Sequence, residues 1–186
     1  MTKISIVERM TKAWKKASPR ILDIGCGSNP EGTTNLDFFI GETPHQKRRI
    51  EPDKIPNFVQ GDAHNLPFPD DSFDLCIMSH VLEHLEYPLQ ALREAHRVAP
   101  KLIVRVPNSP MLNEHPEHLY SWSSVSLRNL LSRVYPNVIV YETTRRVYVI
   151  DSRIFKLCTR IPTIGQAIAR WLGNTLRLEL IAFCSR

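Results

Sequence analysis

Residues 21–27 read Ile-Leu-Asp-Ile-Gly-Cys-Gly, a short apolar run that ends in two glycines. The run predicts a buried β-strand, and the glycines predict a turn directly after it. In open α/β sheets, ligands bind at the carboxyl ends of the strands, where glycines let the backbone come close to a ligand. The next residues, 28–31, read Ser-Asn-Pro-Glu and lack the third glycine of the dinucleotide-binding fingerprint. The stretch therefore predicts a ligand-binding turn without a dinucleotide, with a plain strand-to-loop turn as the alternative.

Apolar runs alternate with helical patterns along the rest of the chain. Strands are predicted for residues 20–24, 35–39, 58–60, 73–78, 101–106, 138–141 and 178–183, and helices for residues 3–17, 87–98 and 123–132. This alternation predicts the α/β class, with a doubly wound, mainly parallel sheet. Because Pro30 and Gly32 disfavour a helix between Asp23 and Asp37, the first connection is predicted to be truncated. The polar residues 42–56 predict a loop or a short, irregular helix.

Length and composition fit one globular domain in a reducing compartment. The chain has 186 residues, of which 42% are hydrophobic and 23% are charged, close to the globular average. No apolar run reaches the roughly 18 residues of a membrane-spanning helix, and the first residues lack the apolar region of a signal peptide. The four cysteines, at positions 26, 76, 158 and 184, form no C-x-x-C pair. They predict reduced thiols and a cytoplasmic location.

Charge is distributed unevenly along the chain. The net charge is +5 in residues 1–20, −6 in residues 21–142 and +6 in residues 143–186. Basic ends of this kind suit either a solvated surface or contact with an anionic partner. Within the second basic end, apolar and basic residues predict a helical insertion at residues 152–176. Packing on the sheet, a lid over the site and contact with an anionic bilayer are its alternative roles.

Four motifs follow one another in an order that a known family shares. They are residues 21–27, GDAHNLPF at residues 61–68, DSFDL at residues 71–75 and SHVLEHL at residues 79–85. In this order they resemble the class I S-adenosylmethionine-dependent methyltransferases, most of all the type 11 branch. The resemblance implies a Rossmann-like fold with seven strands, the last of them antiparallel. It implies a single methyltransferase domain, with an amphipathic helix in residues 1–19, a cofactor-binding half in residues 20–108 and a substrate-side half in residues 109–186.

The resemblance also implies roles for residues at the ends of the predicted strands. It places Asp23 near the amino group of S-adenosylmethionine and Asp37 at the ribose. It gives Asp62 the adenine amino group and the backbone of Ala63 the ring edge, which pairs donors with acceptors. A surface acid and a turn residue are the alternatives for Asp37 and Asp62. The predicted cofactor-binding residues are Asp23, Gly25, Cys26, Gly27, Asp37, Asp62, Ala63 and Ser79.

The end of the fourth predicted strand supplies the candidates for chemistry on the acceptor. By the resemblance, Ser79 and His80 face the transferred methyl group, and His80 is the candidate catalytic residue, either as a base or as part of the pocket wall. Glu83 and His84 follow in the same motif, and packing or helix capping is favoured for both.

The polar loop at residues 113–120 follows the fifth predicted strand and supplies the substrate-side candidates His115, His118 and Tyr120. Its two histidines and two acids are metal-ligand types. However, Pro116 interrupts them and their spacing matches no zinc template, so no metal site is predicted.

The leading functional hypothesis is methyl transfer to a small-molecule or lipid-like acceptor by in-line displacement. A non-catalytic cofactor-binding module or partner subunit is one alternative, and an RNA methyltransferase is another. The basic ends lack the interleaved aromatic residues that favour single-stranded nucleic acid, which makes that partner less favoured. The fourth strand also lacks the Asn/Asp-Pro-Pro-Tyr/Phe signature, and this absence disfavours amino groups of adenine or glutamine as acceptors.

Overall fold

The computed structural model describes residues 3–43, 46–108, 117–144 and 178–186. Within these residues the helices are α1 (Lys3–Lys16), α2 (Pro88–Val98) and α3 (Ser124–Leu131). The strands are β1 (Ile21–Ile24), β2 (Thr34–Asp37), β3 (Gly41–Thr43), β4 (Gln46–Ile50), β5 (Phe58–Gln60), β6 (Leu75–Ser79), β7 (Lys101–Pro107), β8 (Asn137–Thr144) and β9 (Leu178–Ser185), and a 3₁₀ turn spans Pro52–Lys54.

Seven of the described strands form one sheet in the order β5-β2-β1-β6-β7-β9-β8. The first five strands in that order are parallel, whereas β9 is antiparallel to both β7 and β8. The strand order reverses between β1 and β6, and a doubly wound sheet opens a ligand crevice at such a point. The predicted doubly wound, mainly parallel, seven-stranded sheet with an antiparallel last strand is therefore confirmed.

Helices pack on both faces of this sheet because its parallel strands are apolar on both faces. On one face, Leu92 of α2 and Leu127 of α3 are fully buried in the larger core cluster. On the other face, Val7 of α1 is buried, and Met10 and Trp14 pack beside it on the strands. These three α1 residues lie three or four positions apart, which is the amphipathic spacing that predicts the helix.

The connection from β1 to β2 contains no helix, as its proline and glycine predict. The chain turns back so tightly that a Cβ atom on Gly32 would lie 2.5 Å from the Thr34 carbonyl oxygen and 2.8 Å from the Asp23 nitrogen. The Asn35 side chain stabilises the turn, since its Oδ1 accepts the Gly32 N–H at 3.0 Å and its amide donates to the Pro56 carbonyl at 2.6 Å. This short connection leaves the end of β1 open to one side.

The prediction of a loop or irregular helix for residues 42–56 is wrong in part. Strands β3 and β4 form a separate antiparallel ribbon in the first half of that range, and the 3₁₀ turn follows it. The β4 residues read Gln-Lys-Arg-Arg-Ile, and Ile50 alone among those whose side chains are described is buried. Because main-chain pairing holds such a ribbon together, its sequence lacks the apolar alternation that predicts a strand.

Some predicted features lie outside the described residues, namely the helical insertion at residues 152–176, His115 and Cys158. Among the described helices, none has the length and apolar character that crossing a membrane requires.

Candidate functional site

A cavity of about 950 Å³ opens at the carboxyl ends of the central parallel strands. Its wall includes each residue that the sequence predicts for cofactor binding, together with the candidate catalytic histidine. They are Asp23, Gly25, Cys26, Gly27, Asp37, Asp62, Ala63, Ser79 and His80. These residues come from four separate parts of the chain, and the parallel sheet brings them together because β1, β2, β5 and β6 all end at this edge.

The glycine turn after β1 forms the floor of the cavity. Gly25 and Gly27 have φ angles of +71° and +56°, a region that glycine adopts without steric cost. A Cβ atom on Gly25 would lie 2.5 Å from Cγ2 of Val81, so a side chain there requires Val81 to shift. The Gly25 and Cys26 N–H groups both donate to the Leu36 carbonyl, at 2.7 and 3.0 Å. The turn is thereby held against β2 with its backbone exposed to the cavity.

Asp37 joins the glycine turn to the end of β2. One carboxylate oxygen accepts the Gly27 N–H at 2.8 Å, and the other accepts the Phe39 N–H at 3.0 Å. The side chain is 5% exposed and lines the cavity. Asp37 therefore holds the glycine turn in place and lines the cavity, whereas an acid on the open surface would do neither.

Asp23 is the buried carboxyl group beside the turn. It accepts the Glu31 N–H at 2.8 Å. Burial raises the pKa of Asp23 to about 6, against the opposing effect of that hydrogen bond. Burial likewise raises the pKa of the Cys26 thiol to about 12, so Cys26 contributes an uncharged wall rather than a thiolate nucleophile.

Asp62 lies in the turn after β5 and holds His64. Its Oδ1 accepts the His64 N–H at 2.8 Å and lies 2.7 Å from the ring Nδ1. Partial burial favours a higher pKa for Asp62, but the hydrogen bonds from His64 outweigh it and hold the pKa below its usual value. Asp62 is thus an ionised acceptor at the cavity edge, with Ala63 next to it in the wall.

An ion-pair network that sequence reasoning missed closes the side of the cavity next to β1. Arg105 on β7 donates to both carboxylate oxygens of Glu31, at 2.6 and 3.2 Å, and to Ser79 Oγ at 2.8 Å. Lys15 of α1 donates to the same carboxylate at 2.6 Å. The sequence held one signal of this network. Arg105 interrupts the apolar run of a central strand, and a charged residue is buried in such a place only with a partner.

Two aromatic residues after β2 were also missed. Phe38 and Phe39 line the cavity and are 59% and 41% exposed. The signal in the sequence was their position directly after Asp37, a predicted cofactor-binding residue. Large apolar side chains that stay exposed beside a cavity mark a binding surface.

His80 lies between two carboxylates. Its Nε2 is 3.0 Å from Glu179 Oε1, and its Nδ1 is 3.3 Å from Glu83 Oε1. Burial alone would lower the pKa of His80, but the two glutamates raise it to about 9. The φ angle of +56° is unusual for a histidine and shows that the surrounding contacts hold the residue in place. This arrangement favours an imidazolium in the wall over a base, and Glu179 on β9 was not anticipated from the sequence.

Neither of the two substrate-side candidates that the structure describes lines the cavity. His118 and Tyr120 do not line the cavity, whereas their neighbours Glu117 and Leu119 do. Tyr120 stacks on Trp122, with ring centres 5.5 Å apart, and its hydroxyl donates to the Glu86 carbonyl. His118 packs edge to face against His84, with ring centres 4.7 Å apart.

The open backbone at the glycine turn, together with acidic groups at three strand ends, fits a ligand that carries an amino group, a ribose and an adenine. Gly25 and Gly27 line the cavity and present no side chain to it. Asp23, Asp37 and Asp62 offer carboxylate acceptors at separate points of the wall, as the donors of such a ligand require. S-adenosylmethionine has this combination of groups.

The chain is similar in sequence to known methyltransferases. Residues 22–101 match the model of a methyltransferase domain family. An uncharacterized methyltransferase of Schizosaccharomyces pombe is 35% identical in an alignment of 105 positions that covers 45% of this chain and 37% of that protein. The chloroplastic 2-methyl-6-phytyl-1,4-hydroquinone methyltransferase 2 of Oryza sativa subsp. japonica is 33% identical in an alignment of 93 positions that covers 42% of this chain and 26% of that protein. The alignments therefore span well under half of either relative.

The fold is shared more widely than the sequence. A crystal structure of an S-adenosylmethionine-dependent methyltransferase from Thermotoga maritima superposes with a TM-score of 0.64. The match covers 96% of this chain and 87% of that one at 15% identity. In its matched segment and its four motifs the chain is similar to the class I S-adenosylmethionine-dependent methyltransferases of type 11, and it shares the fold of the Thermotoga maritima enzyme.

Proposed function

We propose that the protein transfers the methyl group of S-adenosylmethionine to a small-molecule, lipid-like acceptor. The observation that carries the proposal is the convergence of an open glycine turn and three carboxylates on one cavity of about 950 Å³. That volume is at the upper end of the range for ligand pockets, which suits a cofactor with an acceptor beside it.

The cofactor-binding roles follow the chemistry of the wall residues. In this proposal Asp23 binds the amino group, Asp37 binds the ribose hydroxyls and Asp62 accepts from the adenine amino group. Arg105 supplies positive charge for the carboxylate of the methionine moiety, since it lies on the cavity wall next to Ser79. Phe38 offers an apolar surface for the base.

Bound S-adenosylmethionine supplies an electrophilic methyl group on a sulfonium. The chain's contribution is then to hold the acceptor in line with that group and to exclude water, which accounts for much of the acceleration in a displacement of this kind. Ser79 and His80 form the wall near the end of β6, where the acceptor side begins. With its ring between two glutamates, His80 acts there as a fixed positive group.

The apolar rim supports a lipid-like acceptor. Tyr87 and Leu119 line the cavity and are 59% and 60% exposed. Large exposed apolar side chains around a cavity mouth favour an apolar ligand. The rice relative is named for a hydroquinone with a phytyl chain, which agrees with an acceptor of this class.

Calorimetric titration and a labelled-methyl assay test the proposal. We expect S-adenosylmethionine to bind, and Asp62→Asn to weaken binding by about 1–3 kcal/mol because a partner of the adenine amino group is lost. Asp53→Asn is the matched control, because Asp53 is an exposed acid away from the cavity. Tritiated methyl groups should enter the organic-solvent fraction of a cell extract.

Three results would contradict the proposal in different ways. Absence of binding at millimolar cofactor would refute it outright. Cofactor binding without label in any fraction would favour a non-catalytic module or partner subunit. Label in RNA, with an affinity that falls as salt rises, would favour an RNA methyltransferase.

We further propose that residues 152–176 border the acceptor pocket and contact an anionic acceptor or surface. The net charge of +6 in residues 143–186 supports this, as does the position of the segment between β8 and β9. Replacing Arg153, Lys156 and Arg160 together by Ser should leave cofactor affinity nearly unchanged and lower methyl transfer. Equal loss of both would show a structural role for the segment.

A cytoplasmic location is part of the same proposal. Cys26, Cys76 and Cys184 are buried free thiols in the described structure, as suits a reducing compartment. Cell fractionation with an antibody to the chain tests it, and recovery with a membrane or secreted fraction would overturn it.

A further inference from the structure

We propose that Glu83, His84 and His118 form a binding site for one divalent transition-metal ion at the acceptor side of the cavity. Each of the three residues offers one ligand atom, and these atoms all lie within 4.8 Å of one another. Glu83 and His84 follow β6, whereas His118 lies more than thirty positions later in the chain. The cluster is therefore a product of the fold, and no spacing motif reveals it.

Glu83 is the first reason to expect a cation. Its side chain is 1% exposed, and neither carboxylate oxygen accepts a hydrogen bond from the described residues. The His80 ring lies 3.3 Å from Oε1 and supplies charge without hydrogen-bond geometry. A carboxylate taken out of water without hydrogen bonds is costly, and metal coordination is one of the ways in which proteins compensate that cost.

The orientation of His84 is the second reason. Its Nδ1 lies 3.2 Å from the Glu117 carbonyl oxygen, which can only accept a hydrogen bond. The proton of a neutral His84 ring is therefore on Nδ1, and the lone pair is on Nε2. An imidazole whose second nitrogen donates to a backbone carbonyl is the usual arrangement of a metal-binding histidine.

The backbone holds the third residue beside the other two. The Leu119 N–H donates to the Glu83 carbonyl at 2.8 Å, and the Tyr120 N–H approaches the same oxygen at 3.3 Å. These bonds fix the segment that carries His118 next to the turn that carries His84, and the two rings pack edge to face. The two halves of the cluster are thus joined by main-chain contacts and do not depend on the ion for their position.

The donor set indicates which ions fit. Two imidazoles and one carboxylate suit Zn²⁺, Mn²⁺, Fe²⁺ or Co²⁺, whereas Mg²⁺ and Ca²⁺ prefer oxygen donors alone. Three protein ligands leave coordination positions open, and His84 lies in the cavity wall. An ion there would hold a hydroxyl oxygen of the acceptor and lower the pKa of that hydroxyl. This catalytic role rests on the proposed function, but binding of the ion does not.

Titration of the metal-free full chain with Co²⁺ tests the site directly. We expect one ion per chain, seen in the visible absorption of Co²⁺ and in calorimetry, and displaced by Zn²⁺. Glu83→Gln and His118→Asn should each weaken Co²⁺ binding by more than about 100-fold, since even loss of an outer-shell partner costs up to that much. His96→Asn is the matched control, because His96 packs on Tyr135 away from the cluster and should bind Co²⁺ like the native chain.

The outcomes separate this site from the methyltransferase proposal. Failure of Co²⁺, Zn²⁺ and Mn²⁺ to bind saturably below millimolar concentration, or unchanged binding in both variants, would overturn the metal site. Glu83 would then be explained by its ion pair with His80. Binding of S-adenosylmethionine, measured in the same samples with a chelator present, is independent of that result. Because His118 is only half-buried, its variant keeps the test decisive if Glu83→Gln fails to fold.

Discussion

Asp23 shows how one buried carboxyl group links folding to binding. Its pKa of about 6 in the folded chain lies above the ordinary value of 3.8, so the fold favours the protonated form. The stability that this group contributes is therefore complete below pH 3.8 and is lost as the pH rises through about 6. At neutral pH the carboxylate is ionised at a cost to stability, and the amino group of a bound cofactor would compensate that cost.

The first prediction concerns Asp23→Asn. At pH 7.5 the variant should raise the free energy of unfolding of the ligand-free protein by on the order of 2 kcal/mol, because no buried charge remains. It should also weaken S-adenosylmethionine binding. Urea unfolding and calorimetry measure the two effects. A variant that is less stable and binds equally well would contradict this account of Asp23.

In the native chain, the affinity for S-adenosylmethionine should depend on pH through the same carboxyl group. Below pH 6 the affinity for S-adenosylmethionine should fall by about tenfold per pH unit, because Asp23 must lose its proton to bind an ammonium group. Calorimetry between pH 5 and 8 measures the slope, and Asp23→Asn is the control in which this contribution is absent. An affinity that does not change across pH 6 in the native chain would separate Asp23 from the amino group.

At the scale of elements, the glycine turn after β1 combines backbone conformation with close packing. Gly25 and Gly41 both have positive φ angles, of +71° and +84°. A Cβ atom on Gly25 would lie 2.5 Å from Val81, whereas one on Gly41 would come no nearer than 3.9 Å to Arg49. The two glycines therefore share conformational strain but differ in steric conflict.

Gly25→Ala and Gly41→Ala separate these two contributions. Gly41→Ala should lower the free energy of unfolding by about 1–2 kcal/mol, the cost of a left-handed alanine. Gly25→Ala should cost a further ~1–3 kcal/mol from overpacking and should abolish cofactor binding. Adding Val81→Ala to Gly25→Ala should restore part of the stability. Equal effects of the two single variants, measured by urea unfolding, would show that Val81 simply moves aside.

The elements that could be predicted are those whose burial leaves a pattern in the sequence. Strand β6 is a continuous apolar run because both of its faces are covered, and α1 has one apolar stripe because one of its faces is covered. The β3–β4 ribbon leaves no such pattern. Within the cavity wall, Asp37 and Asp62 were predictable because Asp37 ends β2 and Asp62 lies two positions after β5. The pairing of Arg105 with Glu31, 74 positions apart, depends on how the strands are ordered in space.

At the scale of the whole molecule, the first helix and the last strand stabilise each other across the sheet. Trp14 of α1 packs edge to face on Phe183 of β9, with ring centres 5.3 Å apart. The Lys101 ammonium lies 5.8 Å from the centre of the Trp14 ring. Tyr141 of β8 contacts Met10 through its hydroxyl at 3.5 Å. Helix α1 thus packs on β8 and β9, the two strands that extend the sheet beyond its parallel part.

Trp14→Ala should therefore lower the free energy of unfolding of the whole chain. We expect a loss of about 2–3 kcal/mol, somewhat below the cost for a fully buried tryptophan, since the ring is only partly buried. Lys16→Ala, at an exposed position of the same helix, is the control and should change stability by less than about 0.5 kcal/mol. Urea unfolding measures both, and a similar small effect of the two variants would show that α1 is dispensable to the sheet.

Strand β9 lies between β7 and β8, although it follows both of them along the chain. A ribosome therefore releases β8 before its neighbour in the sheet has been synthesised. At about 5–20 residues per second, the 41 residues from the end of β8 to the end of β9 take roughly 2–8 seconds to translate. Throughout that interval the nascent chain carries β7 as an unprotected sheet edge, with Ile103 and Val104 among its apolar residues, and such an edge invites pairing with other chains. Synthesis in the cell thus includes a period of seconds in which this sheet edge is exposed to such pairing.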